Sequence, residues 1–184
     1  MENIQPVRLI VTGQQDGRSY IASDAPASGA LVQPHRPTAL TDLWHVLSVP
    51  ADVRSDGRAD EGRPFTLSPD GGGIVFRFVQ FDPYSPEDVQ RVDGSAIFEA
   101  MNAGAEHVGG SISPFMHRTA TLDFAIVLRG VMTMLLDSES TEVGVGDVIV
   151  QRATNHAWEN RGTEPAMIAF ILIDAAPPTD LDVW

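Results

Sequence analysis

The 184-residue chain contains no cysteine, and that absence excludes disulfide staples, thiolate catalysis and cysteine-ligated zinc together. A metal ion would have to be held by histidine, carboxylate or neutral oxygen. Basic residues are scarce: 12 Lys and Arg stand against 25 Asp and Glu, a formal charge of −13. A surface of that sign repels phosphate backbones and anionic headgroups, so neither nucleic acid nor membrane is an expected partner. No apolar run approaches the about 18 residues that mark a membrane span. The opening MENIQPVRLIVTG lacks the basic start and long apolar stretch of a secretion signal. A cytoplasmic protein is expected.

At 43% hydrophobic residues, the chain can bury one core of ordinary size. We expect one structural domain: residues 1–105 complete a barrel with N-terminal strands, a loop and a short helix, 106–175 form its core, and 176–184 are a tail. Val7–Val11 and Arg18–Ala22 read as a hairpin joined at Gly13–Gly17, and Asp24–Thr38, with three prolines, as a loop. Thr41–Val49 reads as a strand, and Pro50–Gly73, rich in Asp, Arg, Gly and Pro, as a surface excursion. IVFRFVQF, at Ile74–Phe81, is the best strand of this half. Its alternation sets Val75, Arg77 and Val79 against Ile74, Phe76, Phe78 and Gln80. Asp93–Met101 supplies the one helix, with Ile97, Phe98 and Met101 on one side, placed to cover a barrel mouth.

The second half reads as strands in quick succession: Arg118–Leu128, Val131–Asp137, Thr141–Val143, Asp147–Gln151, Ala157–Asn160 and Ala166–Ile173. Short strands with turns between them and no helical insertions indicate an all-β antiparallel sandwich or barrel. Strand parity puts His117, Thr119, Thr121 and Asp123 on one face and Arg118, Leu122 and Phe124 on the other. His156, Trp158 and Asn160 likewise share a face. If both faces look inward, two imidazoles and a carboxylate converge.

These residues resemble the cupin superfamily. His117–Asp123, followed by six residues and then Gly130, is similar to the first cupin motif, in which His-x-His, a Glu and a closing Gly recur. Gly146-Asp147 through His156 to Asn160 is similar to the second. The resemblance implies a double-stranded β-helix, or jelly-roll, barrel with a small-molecule pocket. The sequence departs from the motifs in three places. Thr119 stands where the family has its second His, and Asp123 where it has Glu. Gln151-Arg152-Ala153 replaces Pro-x-Gly, with one residue fewer before His156. His117, Asp123 and His156 remain as a two-His, one-carboxylate set suited to iron, manganese, nickel or zinc. The retained ligands point to a metal site and the substitutions to its erosion. The strings His117-Arg118-Thr119 and Gln151-Arg152 to Trp158 further resemble small cupins encoded beside polyketide or aromatic-compound genes, some described as oxidoreductases.

The resemblance implies an enzyme acting on an aromatic or polyketide-like molecule by oxidation, decarboxylation or isomerisation. His117, Asp123 and His156 are its catalytic candidates, and Thr119, Gln151, Arg152, Trp158 and Asn160 its substrate-binding ones. No organic cofactor is expected. Two other functions fit the same residues. One is a metal-free cyclase or dehydratase in which His117 or His156 is the base, Asp123 orients it and Arg152 steadies an enolate. The other is a metabolite-binding module without turnover. Plainer roles also exist: an interior histidine satisfied by backbone, Asp123 paired with Arg118 or Arg129, and Trp158 as core. His35, His45 and His107 read as solvent-facing or locally bonded. By resemblance, a homodimer using the N-terminal strands is expected.

Overall fold

The computed structural model describes residues 4–28, 30–33, 38–58, 64–85, 87, 89, 91–109 and 112–176. Its elements are almost all strands, paired antiparallel throughout. Strands β1 (Arg8–Gln15) and β2 (Arg18–Pro26) form a hairpin around Asp16 and Gly17, whose φ values of 51° and 74° suit a tight two-residue turn. The turn is shorter than the sequence suggests and the strands correspondingly longer. This hairpin is a separate two-stranded sheet and leaves Ile10, Tyr20 and Ile21 exposed.

The main sheet has six strands in the order β3-β4-β5-β11-β6-β9. They are β3 (Ala30–Val32), β4 (Thr38–Val46), β5 (Ile74–Phe81), β11 (Ala166–Asp174), β6 (Thr121–Arg129) and β9 (Val148–Arg152). Part of the expected proline-rich loop is thus strand: β2 runs to Pro26 and β3 forms the sheet edge, where an interrupted ladder is tolerated. A second sheet, ordered β10-β7-β8, contains β10 (Ala157–Glu159), β7 (Val131–Leu135) and β8 (Ser140–Gly144). The expected tail beyond Ala176 lies outside the described residues.

Period-two alternation decides what each strand buries. On β6, Thr121, Asp123, Ala125 and Val127 are buried while Leu122, Phe124 and Ile126 are half-buried. On β5 the inward set is Val75, Arg77 and Val79. One apolar cluster joins these faces to Met132 and Leu135 of β7 and to Ala157 and Trp158 of β10, so the two sheets enclose a single core. Gly130 links β6 to β7 at φ 73°, and a Cβ there would lie 2.8 Å from the Cβ of Ala166. Glycine meets both demands.

Helix α1 (Gly94–Ala100) is capped by Asp93, whose carboxylate accepts from the Ala96 amide. Its Ile97 and Phe98, with Met101 just beyond, are buried, matching the expected apolar side. Phe98 and Met101 close one part of the interior cavity. Among the described residues no helix is long and apolar enough to cross a membrane.

Candidate functional site

The space between the sheets forms a mostly apolar cavity open to solvent at its mouth, with about 580 Å³ of empty space in the cavity and the open mouth together. His117 and His156 stand side by side in its wall. Each donates its backbone N–H to the other's carbonyl, at 2.9 and 3.0 Å, and the rings lie 4.2 Å apart between centroids. The aromatic lining continues on both sides, from Phe98 at 5.1 Å from His117 to Trp158 at 6.3 Å from His156 and Phe170 at 5.8 Å from Trp158. Both imidazoles are oriented alike. His117 Nδ1 lies 2.9 Å from the carbonyl of Phe115, and His156 Nδ1 2.9 Å from that of Thr154. A carbonyl only accepts, so each Nδ1 carries a proton, and in a neutral ring that leaves Nε2 as the basic nitrogen. Burial pushes His156 down to about 4, against the opposing bond to Thr154, and keeps it neutral at physiological pH.

Asp123 faces the same cavity from β6. It is 4% exposed, and its Oδ1 has no hydrogen-bond partner among the described residues. Burial pushes its carboxyl up to about 6, with smaller opposing pulls from a Thr121 hydrogen bond and from the charge of Arg77. Both protonation states are therefore accessible near neutrality, as suits a proton-transfer group. Thr119 also lines the cavity, its hydroxyl 2.6 Å from that of Thr121. His117, Thr119, Asp123, His156 and Trp158 thus surround one space, although the strand expected from Arg118 begins only at Thr121 and His117 and Thr119 lie ahead of it.

Arg77 was not among the expected site residues. It is 2% exposed and lines the cavity. Its Nε donates to Asp42 Oδ1 at 2.8 Å, Nη2 to Asp42 Oδ2 at 3.3 Å and to the Thr66 carbonyl at 2.8 Å, and Nη1 to the Leu67 carbonyl at 3.1 Å. The guanidinium also sits 4.5 Å over the Phe65 ring. His45 Nε2 approaches Asp42 Oδ2 at 3.2 Å, so His45 is buried and locally bonded. Burial opposes ionisation of Asp42, but Arg77 and His45 together hold its carboxyl below the usual range. The available signal was parity: Arg77 alternates with Val75 and Val79 on an apolar strand, where a solvated arginine has no place.

Three expected substrate-binding residues are not part of the cavity lining. Gln151 is buried but spends its amide on the hydroxyl and carbonyl of Thr154, bracing the turn before His156. Arg152, next along β9, points outward and is exposed. Asn160 clamps a turn: Nδ2 donates to the carbonyls of Phe81 and Glu164, both at 2.8 Å, and Oδ1 accepts from the Gly162 amide at 3.0 Å. Among the described residues the charge acting on Asp123 is that of Arg77, not of Arg118 or Arg129. His107, outside the cavity lining, stacks on Phe98 at 5.1 Å, and His35 lies outside the described residues.

The expected three-ligand metal set does not assemble. Among the described residues no three His, Asp or Glu side chains group closely enough to hold a metal ion. His117 is bound by backbone to His156 ahead of β6, whereas Asp123 lies within β6 opposite Gln151 and Leu172. Its side chain is one methylene shorter than the Glu of the cupin motif. Among the described residues, iron, manganese, nickel or zinc would meet two imidazoles and no third His, Asp or Glu ligand, a poor fit to a resident metal.

Comparison with known proteins agrees with the two motifs. The family model described as "Cupin domain" matches residues 106–173. The chain is 41% identical over 182 residues to the oryzines biosynthesis cluster protein J of Aspergillus oryzae, a match covering 92% of this chain and 83% of that protein. It is also 46% identical over 70 residues to a cupin-domain-containing oxidoreductase of Hypocrea virens, where the match spans 36% of each chain. A solved Cupin 2 conserved barrel domain protein of Salinispora arenicola is 11% identical, with a TM-score of 0.43 over 80% of this chain and 82% of that one. The two motifs, the barrel that carries them and the near full-length relative establish that the chain belongs to the cupin family.

Proposed function

We propose that the protein is a cupin-type enzyme that moves protons on an aromatic or polyketide-like small molecule held inside the barrel. The observation that carries this reading is Asp123, a buried carboxyl with an unpartnered oxygen, facing a cavity walled by Trp158, Phe170 and the two imidazoles. Aromatic walls suit a flat ligand and exclude water, which strengthens any charge or proton transfer within. Asp123 gives or takes a proton at the ligand, while an imidazole unprotonated at Nε2 supplies the complementary base. Isomerisation, cyclisation, dehydration and decarboxylation are within reach of that pair. Relatives named as an oxidoreductase and as a biosynthesis cluster protein support an enzymatic role on a secondary metabolite.

The test starts with thermal shift against a panel of phenols and aromatic acids, followed by product detection on the compounds that bind. Turnover insensitive to chelator and reduced about 10²- to 10⁴-fold by Asp123→Asn is the expected result. Binding with no product after long incubation would make the protein a metabolite-binding module instead. Stoichiometric transition metal, lost in His156→Ala, would replace the proton-transfer reading with a metal-centred one. For assembly we propose a homodimer in which hairpin β1–β2 packs on a second copy, because a two-stranded sheet is marginal alone. Light scattering that reports a monomer overturns it.

A further inference from the structure

The cavity has a second polar region that the proposed chemistry does not use. Val32 pairs with Ala39 and the Gln33 amide donates to the Thr38 carbonyl at 3.1 Å, so Gln33 and Thr38 are neighbours across the β3–β4 edge. Both line the cavity, and both are buried, at 6% and 1% exposure. Gln33 Oε1 and Thr38 Oγ1 have no hydrogen-bond partner among the described residues. The Gln33 amide nitrogen is already directed at the sulfur of Met101. Orphaned buried polar atoms are rare, and two side by side in a cavity wall ask for a partner from the ligand.

Sheet register separates this pair from Asp123. Thr38 opposes Phe81 at one end of β5, while Asp123 opposes Leu172, which opposes Val75 near the other end. Between them the wall is formed by Leu40, Val79, Phe98 and Phe170, with Arg77 as its one charged member, and that guanidinium is already taken up by Asp42 and the Thr66 and Leu67 carbonyls. A ligand reaching from one region to the other is polar at both ends and apolar in the middle.

The donor and acceptor pattern selects the far group. Gln33 Oε1 only accepts, and the Thr38 hydroxyl donates or accepts. A ligand hydroxyl satisfies both, donating to Gln33 and accepting from Thr38. A ketone leaves Gln33 unmet, and a carboxylate sets negative charge against its carbonyl oxygen. We propose that Gln33 and Thr38 form a hydroxyl-binding subsite, and that the ligand carries a phenol or alcohol at the end remote from Asp123. This rests on the cavity being the ligand site.

Calorimetric titration with 2-naphthol and with naphthalene tests it, because the two differ by one hydroxyl and naphthalene reports on the intact cavity. The wild type is expected to prefer 2-naphthol about tenfold. Thr38→Val and Gln33→Leu should each narrow that preference to about twofold while leaving naphthalene affinity in place, and Thr38→Ser should restore it. Equal wild-type affinity for the two compounds, or a preference that survives both substitutions, overturns the subsite and leaves the cavity reading standing. A wild type that binds neither compound overturns both.

Discussion

His117 and His156 exchange both backbone hydrogen bonds, and each ring is turned the same way by a carbonyl two residues earlier in the chain, Phe115 for one and Thr154 for the other. Two motifs almost forty residues apart are thereby locked into one ring pair with Nδ1 of each directed at a carbonyl. The arrangement is maintained by main chain, so it persists through substitutions elsewhere in the cavity.

Asp123 and His156 pull stability in opposite directions with pH. Burial raises the folded Asp123 carboxyl to about 6 from 3.8. Its contribution is full below the unfolded value and is lost as pH rises through the folded one, by about 3 kcal/mol. Burial lowers His156 to about 4 from 6.5. Its contribution is full above the unfolded value and is lost as pH falls through the folded one, also by about 3 kcal/mol. Wild-type stability is therefore expected to be nearly flat across the shared window. Asp123→Asn should be about 3 kcal/mol more stable than wild type at about pH 7 and lose that margin on acidification. Urea unfolding at stepped pH measures it, and a variant that tracks wild type throughout refutes the burial argument.

The Arg77–Asp42 pair is predicted to be the costliest to break singly. Arg77→Met leaves Asp42 in the core with only His45 beside it, and about 3–5 kcal/mol should be lost. Arg77→Met combined with Asp42→Leu removes both charges and should recover at least half of that loss. A double substitution no more stable than the single one would show that the carbonyl bonds to Thr66 and Leu67, rather than the ion pair, hold this region together.

Ala153 occupies a left-handed conformation, φ 50°, in the turn where the cupin motif has glycine. The conformation costs an alanine about 1–2 kcal/mol. Glycine's greater freedom in the unfolded chain offsets about half of the gain. Ala153→Gly should raise the melting temperature by about 2 °C, read by calorimetry. A fall would show that the alanine methyl packs usefully in the turn.

Asn160 and Trp158 share a face in sequence and should separate by experiment. Asn160→Ala removes the Nδ2 bonds to the Phe81 and Glu164 carbonyls and should cost about 2–4 kcal/mol while leaving 2-naphthol affinity unchanged in the folded protein. Trp158→Leu should weaken that affinity several-fold. Equal effects of the two on binding would return Asn160 to the ligand site.

The alternation of IVFRFVQF, the turn at Gly130 and the helix at Gly94–Ala100 were legible in the chain, because period and turn chemistry are local properties. They set the all-β class and the inward face that holds His117, Thr119, Asp123, His156 and Trp158. Parity says which side of a strand a residue takes, but not how far it lies from residues on other strands. Pairing between strands distant in sequence put Asp42 against Arg77, turned Gln151 and Asn160 into turn braces, and kept Asp123 out of a three-ligand group with the two imidazoles. Those outcomes depend on register and on distances of a few ångströms, which only the folded barrel decides.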